Sequence, residues 1–190
     1  PDTVIFACAS SNLMSHKAYP GSVFQVDSIS FAGASQPLYF NGDLELWQTS
    51  TSYNCLGWKG AALQTTDKYK GTYALELITN PPGFGDNQIR VGWLTKGIPQ
   101  NQGPTKGGSP FSNQVDTLVF YYKYLPANFP SYTDSAEVSI TFYKNGAWIS
   151  GMGTRLGPSI SSFKKMEVPF NLLQVPDTVQ LNANSSKWPS

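Results

Sequence analysis

The feature that most constrains this chain is a long succession of short segments in which apolar and polar residues alternate. Tyr73–Thr79 alternates cleanly, and Val23–Phe31 is a run rich in β-branched and aromatic side chains. No window of eleven or more residues shows a 3.6-residue period, so we expect fewer than about 10 % of the residues to be helical. The segments are separated by Gly, Pro, Asn and Ser, which favour turns.

A hairpin signal and the strand pattern together define the expected fold class. Asn145-Gly146 lies between the strand-like segments Ala136–Lys144 and Ala147–Met152, and this dipeptide is typical of a two-residue β-turn. In Thr117–Leu125, alternation places four large apolar or aromatic residues on one face of the strand. The sequence therefore predicts an all-β chain, an antiparallel β-sandwich of the jelly-roll kind.

The charge balance excludes some classes of partner. Lys plus Arg is 13 and Asp plus Glu is 12, a net charge of +1, which argues against phosphate-neutralising nucleic-acid binders and polybasic membrane-surface proteins. No apolar run of about 18 residues exists, so we predict no membrane span. The low charge suits an extracellular or bacterial cell-surface location, where Cys8 and Cys55 either form a disulfide or stay separate buried thiols.

The two ends of the chain repeat one another. Aligned without a gap, the first and last fifteen residues share Pro1/Pro176, Asp2/Asp177, Thr3/Thr178, Val4/Val179, Ser10/Ser185, Ser11/Ser186 and Ser15/Ser190. We therefore expect residues 1–34 to be the C-terminal tail strands of a preceding repeat, and residues 38–190 to be a repeat without its own last strand. Residues 22–32 are expected to supply that strand, with Val23–Phe31 pairing antiparallel to Tyr39–Trp47.

Several segments resemble carbohydrate-binding jelly rolls. Asn41–Trp47 resembles their opening segment, Tyr69–Leu77 and Val119–Leu125 resemble two of their strands, and Gly21–Ile29 and Pro176–Ser186 resemble their closing segments. In this order they are similar to the carbohydrate-metabolism domain of secreted bacterial surface proteins, a carbohydrate-binding-module-like jelly roll of the galactose-binding-like superfamily. The resemblance implies a glycan ligand and a jelly-roll fold.

The same resemblance implies a structural calcium ion near the first and last strands. A hard cation takes several oxygen ligands, and Glu45, Asp43 and Asp27 are the candidates, with backbone carbonyls near Gly71. Ser28 departs from the family pattern, which has a second Asp there. The alternative is that these carboxylates are solvated groups at strand edges and turns.

Sugar binding requires aromatic platforms for the C–H face of a sugar ring and polar groups for its hydroxyls. We expect one polar-aromatic sheet surface with two tryptophans at its rim, formed by Tyr121, Lys123, Tyr143, Arg155, Trp93 and Trp148. The alternative is that these side chains cover a neighbouring repeat or a loop.

Enzyme chemistry has little support in the sequence. His16 is the one histidine, and no nucleophile or metal motif accompanies it. A pair of carboxylates from distant strands, as in glycosidases, would leave no motif and stays open. We expect a non-catalytic, carbohydrate-binding repeat whose partners are a glycan and neighbouring repeats or copies of itself. The alternative is a structural or adhesive repeat that assembles head-to-tail by strand exchange.

Overall fold

A computed structural model describes residues 23–32, 41–48, 54–79, 91–96, 109–126, 128–129 and 132–187. The regular elements of these residues are β-strands, and no helix is present among them, which confirms the predicted low helix content for this part of the chain. No helix that could span a membrane is therefore found in the described residues. The strands in chain order are β1 (Val23–Phe31), β2 (Trp47–Gln48), β3 (Asn54–Cys55), β4 (Lys59–Gly60), β5 (Leu63–Thr65), β6 (Ala74–Ile78), β7 (Trp93–Thr95), β8 (Ser109–Pro110), β9 (Thr117–Leu125), β10 (Asn128–Phe129), β11 (Tyr132–Thr133), β12 (Ser135–Lys144), β13 (Ala147–Leu156), β14 (Ile160–Pro169) and β15 (Thr178–Lys187).

Most strands belong to two antiparallel sheets. The five-stranded sheet has the order β14-β9-β1-β6-β5, and the six-stranded sheet has the order β13-β12-β15-β7-β4, with β8 beside β15. Two further strand pairs are β2–β3 and β10–β11. The main sheets share one hydrophobic core, to which Phe24 and Phe120 contribute from one sheet and Phe142 and Leu181 from the other. The structure thus confirms the all-β fold, and two sheets around a common core agree with a sandwich.

The strand pattern identified the core-facing side chains of β9 and β12 correctly, although Val119, on the opposite face of β9, is buried as well. Leu118, Phe120, Tyr122 and Tyr124 are buried, as are the alternating apolar residues of β12. The hairpin between β12 and β13 is confirmed, because Lys144 lies opposite Ala147 and a two-residue turn joins the strands. Its two residues, Asn145 and Gly146, both have positive φ angles, of 50° and 76°, which match the right-handed twist of the strands.

Replacement of Gly146 by alanine tests this turn. A Cβ at Gly146 would meet no atom within 4 Å, so the penalty is one of backbone conformation alone. We expect Gly146→Ala to lower the free energy of unfolding by about 1–2 kcal/mol, measured by urea denaturation. Gly157→Ala is the matched control, since Gly157 also has open space but no left-handed φ. Equal stability of the two variants would contradict the argument.

The residues that the two ends share have structural roles in the C-terminal copy. The Asp177 carboxylate accepts the Asn145 N–H at 2.5 Å and the Thr178 hydroxyl at 2.8 Å, so it braces the β12–β13 turn. The buried Ser185 hydroxyl shares a 2.6 Å hydrogen bond with that of Thr79, which links β15 to the end of β6. The N-terminal counterparts lie outside the described residues.

β1 lies in the middle of the five-stranded sheet. Val26 is opposite Leu75 of β6 on one side and Tyr122 of β9 on the other. For the described residues 41–47, the prediction that this strand pairs with Tyr39–Trp47 was therefore wrong, while residues 39 and 40 lie outside the described part of the chain. Within that segment, Asn41 and Leu44 have positive φ angles, which interrupt an extended strand.

β1 nevertheless contacts this turn, because the Ile29 N–H donates to the Gly42 carbonyl at 2.6 Å. Residues 33–40 lie outside the described part of the chain. The division into a tail at 1–34 and a repeat at 38–190 stays a prediction. What the structure shows is that residues 23–31 occupy a place between two strands of the later segment.

Candidate functional site

The predicted sugar-binding residues lie on two different sheets. Tyr121 and Lys123 belong to β9 of the five-stranded sheet. The remaining four belong to the six-stranded sheet, on β7, β12 and β13: Trp93, Tyr143, Trp148 and Arg155. The prediction of one shared surface was therefore wrong. Alternation showed which residues point away from the core, but it did not show which sheet each strand joins.

The first candidate surface, called the amide face here, consists of Tyr143, Trp148, Thr141 and the β15 side chains Gln180 and Asn182. Tyr143 lies opposite Trp148 in the strand register, and Thr141 lies opposite Gln180. The Tyr143 hydroxyl donates to Gln180 Oε1 at 3.2 Å. These side chains come from three adjacent strands and lie on the side of the sheet away from the core, where Trp148 is exposed, Tyr143 and Thr141 are half-buried and Gln180 is buried.

The amide groups on this face are held by neighbouring side chains. The Asn182 Nδ2 donates to the Ser139 hydroxyl at 3.0 Å, and Gln180 is only 4 % exposed although it points outward. The buried Gln180 amide therefore orients the Tyr143 hydroxyl, and a group fixed in this way loses little conformational entropy when a ligand binds.

Trp148 is the exposed aromatic of the amide face, with 64 % of its surface accessible. The register of β12 and β13 shifts between Phe142, which lies opposite Ser150, and Tyr143, which lies opposite Trp148. This shift places Trp148 and Gly151 on the same side of the sheet, the amide face. A Cβ at Gly151 would lie 3.4 Å from the Trp148 indole nitrogen, so the ring rests over a residue without a side chain. The indole thus offers a flat apolar surface next to a hydrogen-bonded tyrosine hydroxyl.

Trp93 and Arg155 lie on the same sheet but at its other end. Trp93 is opposite Asn184, Asn184 is opposite Glu137, and Glu137 is opposite Arg155, so these residues form one row across the strands. Glu137 and Tyr143 are six residues apart on β12, which corresponds to about 20 Å along an extended strand. Trp93 and Arg155 therefore do not join the cluster around Trp148.

The second candidate surface, called the tyrosine face here, consists of Tyr69, Tyr121, Lys123, Asp67 and Phe163. The Tyr69 and Tyr121 rings stack with centroids 3.6 Å apart and an interplanar angle of 8°. The Lys123 ammonium binds the Asp67 carboxylate at 2.6 Å and lies 4.8 Å from the centre of the Phe163 ring. The sequence identified Tyr121 and Lys123 but missed the loop residues Tyr69 and Asp67, because strand alternation does not extend into loops.

Asp27 anchors the loop of residues 66–73 to the sheet. Its carboxylate is fully buried, and Oδ2 accepts the backbone N–H groups of Tyr69 at 2.9 Å and Lys70 at 3.0 Å. Oδ1 accepts the Ser28 N–H at 2.6 Å. Burial raises the pKa of Asp27, and the three N–H donors partly oppose that rise.

Glu45 anchors the same loop from its other end. Glu45 Oε1 accepts the N–H groups of Thr72 at 2.7 Å and Tyr73 at 3.1 Å. A Cβ at Gly71 would lie 2.0 Å from this oxygen, and Gly71 has a left-handed φ of 75°, so the close approach requires glycine. Two carboxylates therefore hold the loop through four of its backbone amides.

This arrangement does not fit the calcium site that the resemblance implies. The oxygens of Asp27 and Glu45 face N–H hydrogens, whose positive ends occupy the positions where a cation would bind. Asp43 is exposed. Among the described residues, no group of three or more His, Cys, Asp or Glu side chains could hold a metal ion. Calcium stays a prediction of the resemblance alone.

A buried polar cluster lies beside the six-stranded sheet, and the sequence did not indicate it. Lys96 is 2 % exposed, with its ammonium 5.1 Å from the centre of the Trp58 ring, and burial lowers its pKa to about 8. Cys55 is a free, buried thiol that accepts a hydrogen bond from Asn41 Nδ2 at 3.1 Å, and burial raises its pKa to about 12. Of the two cysteine alternatives, the structure thus shows a thiol at Cys55, while Cys8 lies outside the described residues.

Comparisons with protein-family models, with curated proteins and with solved structures find no match to this chain. His16 lies outside the described residues.

Proposed function

We propose that this chain is a non-catalytic carbohydrate-binding jelly-roll repeat of a larger extracellular or bacterial cell-surface protein, and that glycan binds to the amide face. The observation that carries the proposal is the exposed Trp148 indole beside the half-buried Tyr143 and Thr141, with the buried Gln180 amide holding the Tyr143 hydroxyl from below. An aromatic ring packs on the C–H face of a sugar, while fixed amides and hydroxyls bind its hydroxyl groups. The family-like sequence segments support the same assignment.

The composition of the amide face favours an uncharged glycan. Its cluster around Trp148 consists of hydroxyl, amide and aromatic groups, while Arg155 and Glu137 lie in a row at the other end of β12. Neutral hydrogen-bonding groups match the hydroxyls of a hexose, which act as both donors and acceptors.

Replacement of Trp148 by alanine tests the proposal. A glycan array identifies the ligand, and calorimetry then measures its affinity for each variant. We expect Trp148→Ala to weaken binding by about 1–3 kcal/mol, a range taken from aromatic stacking on nucleobases, without loss of stability. The exposed side chain makes an unfolding effect small.

Two control variants separate this site from the rest of the surface. Leu173→Ala removes an apolar side chain that is 89 % exposed, and Tyr121→Ala changes the tyrosine face. Both should bind with unchanged affinity. Loss of binding in Tyr121→Ala but not in Trp148→Ala would reject the amide face, and absence of any glycan ligand would reject the function.

A structural repeat that assembles by strand exchange is the second candidate. It is favoured by the position of β1, which comes first among the described strands yet lies between β6 and β9 in the centre of a sheet. A strand from another copy would fit the same place, because identical elements exchange at low cost. Concentration-dependent dimers detected by analytical ultracentrifugation would support it, and a strictly monomeric chain would contradict it.

A further inference from the structure

The stacked tyrosines of the tyrosine face have a geometry suited to covalent chemistry. Their ring centroids are 3.6 Å apart, so the two π systems are in van der Waals contact. A side-chain hydrogen bond between the two hydroxyl groups raises the pKa of Tyr121 above its usual value. The two phenols thus meet both through their rings and through their hydroxyl groups.

The contact joins segments that are distant in the chain. Tyr69 lies in the loop anchored by Asp27, and Tyr121 lies on β9. The backbone N–H of Tyr69 donates to the Asp27 carboxylate, and this bond helps to hold the Tyr69 ring against Tyr121. Proximity of this kind raises the rate of reaction between two groups far above that between separate molecules.

Tyr69 is also accessible, with 46 % of its surface exposed. Other described tyrosines are less suited to oxidation or coupling: Tyr122 and Tyr124 are buried in the core, and Tyr143 is bonded to Gln180 on the other sheet. Within the part of the chain that the structure describes, Tyr69 and Tyr121 are the two tyrosines whose rings stack on one another, which makes them the favoured pair for coupling there.

We propose that Tyr69 and Tyr121 form an oxidative crosslinking site, at which a dityrosine bond covalently fastens the loop of residues 66–73 to β9. The oxidant is hydrogen peroxide, used through a haem peroxidase. The proposal is independent of glycan binding, since it concerns the other sheet.

The reaction balances as a two-electron oxidation. Each phenol loses one electron and its hydroxyl proton, and the two phenoxyl radicals form a carbon–carbon bond between the ring positions next to the hydroxyl-bearing carbons. The hydrogen on each bonded carbon then moves to the phenol oxygen, which restores both aromatic rings. Hydrogen peroxide accepts the two electrons and two protons and becomes two molecules of water.

Peroxidase treatment of the full chain tests the proposal. We expect a monomeric product that lacks two hydrogen atoms by intact mass, shows dityrosine fluorescence, and yields a proteolytic fragment joining the Tyr69 and Tyr121 peptides. Its rate of formation should not depend on protein concentration, because the coupling is intramolecular. The product should also unfold at a higher temperature, because the crosslink restricts the unfolded chain.

Phenylalanine variants supply the controls, since they keep the ring and remove the hydroxyl. Tyr69→Phe and Tyr121→Phe should each abolish the monomeric product, whereas Tyr73→Phe in the same loop should leave it unchanged. Circular dichroism checks that each variant is folded. Crosslinks that form only between molecules, or a monomeric product that survives in Tyr69→Phe, would overturn the proposal.

Discussion

Deletion of residues 1–34 is expected to abolish cooperative folding of residues 35–190, because it removes β1 from the centre of the five-stranded sheet. Four β1 side chains belong to the core: Phe24, Val26, Ile29 and Phe31. Burial of a large apolar side chain contributes about 1.5–3 kcal/mol, so four contribute roughly 6–12 kcal/mol. Whole domains of this kind are stable by only about 5–15 kcal/mol, so the loss is comparable with the total.

The deletion also breaks backbone pairing on two sides. β6 and β9 each lose a hydrogen-bonded partner, and both then present an unpaired edge beside an exposed apolar surface. Circular dichroism and thermal unfolding of residues 35–190 measure the effect. A synthetic peptide covering residues 20–34, added as a separate molecule, should restore a cooperative unfolding transition if it binds between β6 and β9.

A single substitution in the full chain provides a graded control for the deletion. Phe24→Ala removes one fully buried ring and should cost about 3–5 kcal/mol while leaving the fold intact. A soluble monomer of residues 35–190 that is as stable as the full chain would contradict the expected role of β1.

Replacement of Lys96 by methionine is expected to stabilise the protein by up to about 3 kcal/mol at pH 7. Burial holds the pKa of Lys96 at about 8, against 10.5 in an unfolded chain. Each unit of this pKa shift corresponds to about 1.4 kcal/mol of free energy. The whole shift therefore gives the cost of keeping the ammonium charged in the folded protein. Methionine fills a similar volume without a charge.

The pH dependence of stability follows from the same shift. Between pH 8 and 10.5 the unfolded chain holds a proton on Lys96 that the folded chain has released, so stability rises with pH there. Cys55 acts in the opposite sense, since its pKa rises from 9.0 to about 12 on folding and its contribution is lost as pH increases through that range. We therefore expect stability to increase from about pH 8 to 9 and the two effects to oppose one another above pH 9.

Urea denaturation of wild type and Lys96→Met at a series of pH values measures both effects. The difference between the two proteins should be largest at pH 7 and shrink towards pH 10, while Cys55 is common to both. Lys68→Met, at an exposed lysine, is the control and should leave the profile unchanged. A Lys96→Met protein less stable than wild type at pH 7 would contradict this prediction and show that the contacts of the ammonium, among them the Trp58 ring, outweigh the cost of burying its charge.

The sequence by itself determined the local structure of the strands. Alternation in Thr117–Leu125 showed which side chains face the core, and Asn145-Gly146 predicted the β12–β13 hairpin with its turn. Both predictions succeeded because their causes are local: side chains alternate across any strand, and a two-residue turn depends on the φ angles of its own residues.

Only the tertiary structure decided how these strands combine. Tyr121 and Tyr143 both face outward in the sequence pattern, yet they lie on different sheets. β1 pairs with β6 and β9 rather than with the segment that follows it in the chain. The partners of Asp27, Tyr69 and Lys96 were likewise invisible, because hydrogen bonds, ring stacking and burial join residues from distant segments. Strand periodicity carries no information about which strand lies alongside, since that choice depends on the packing of the whole core.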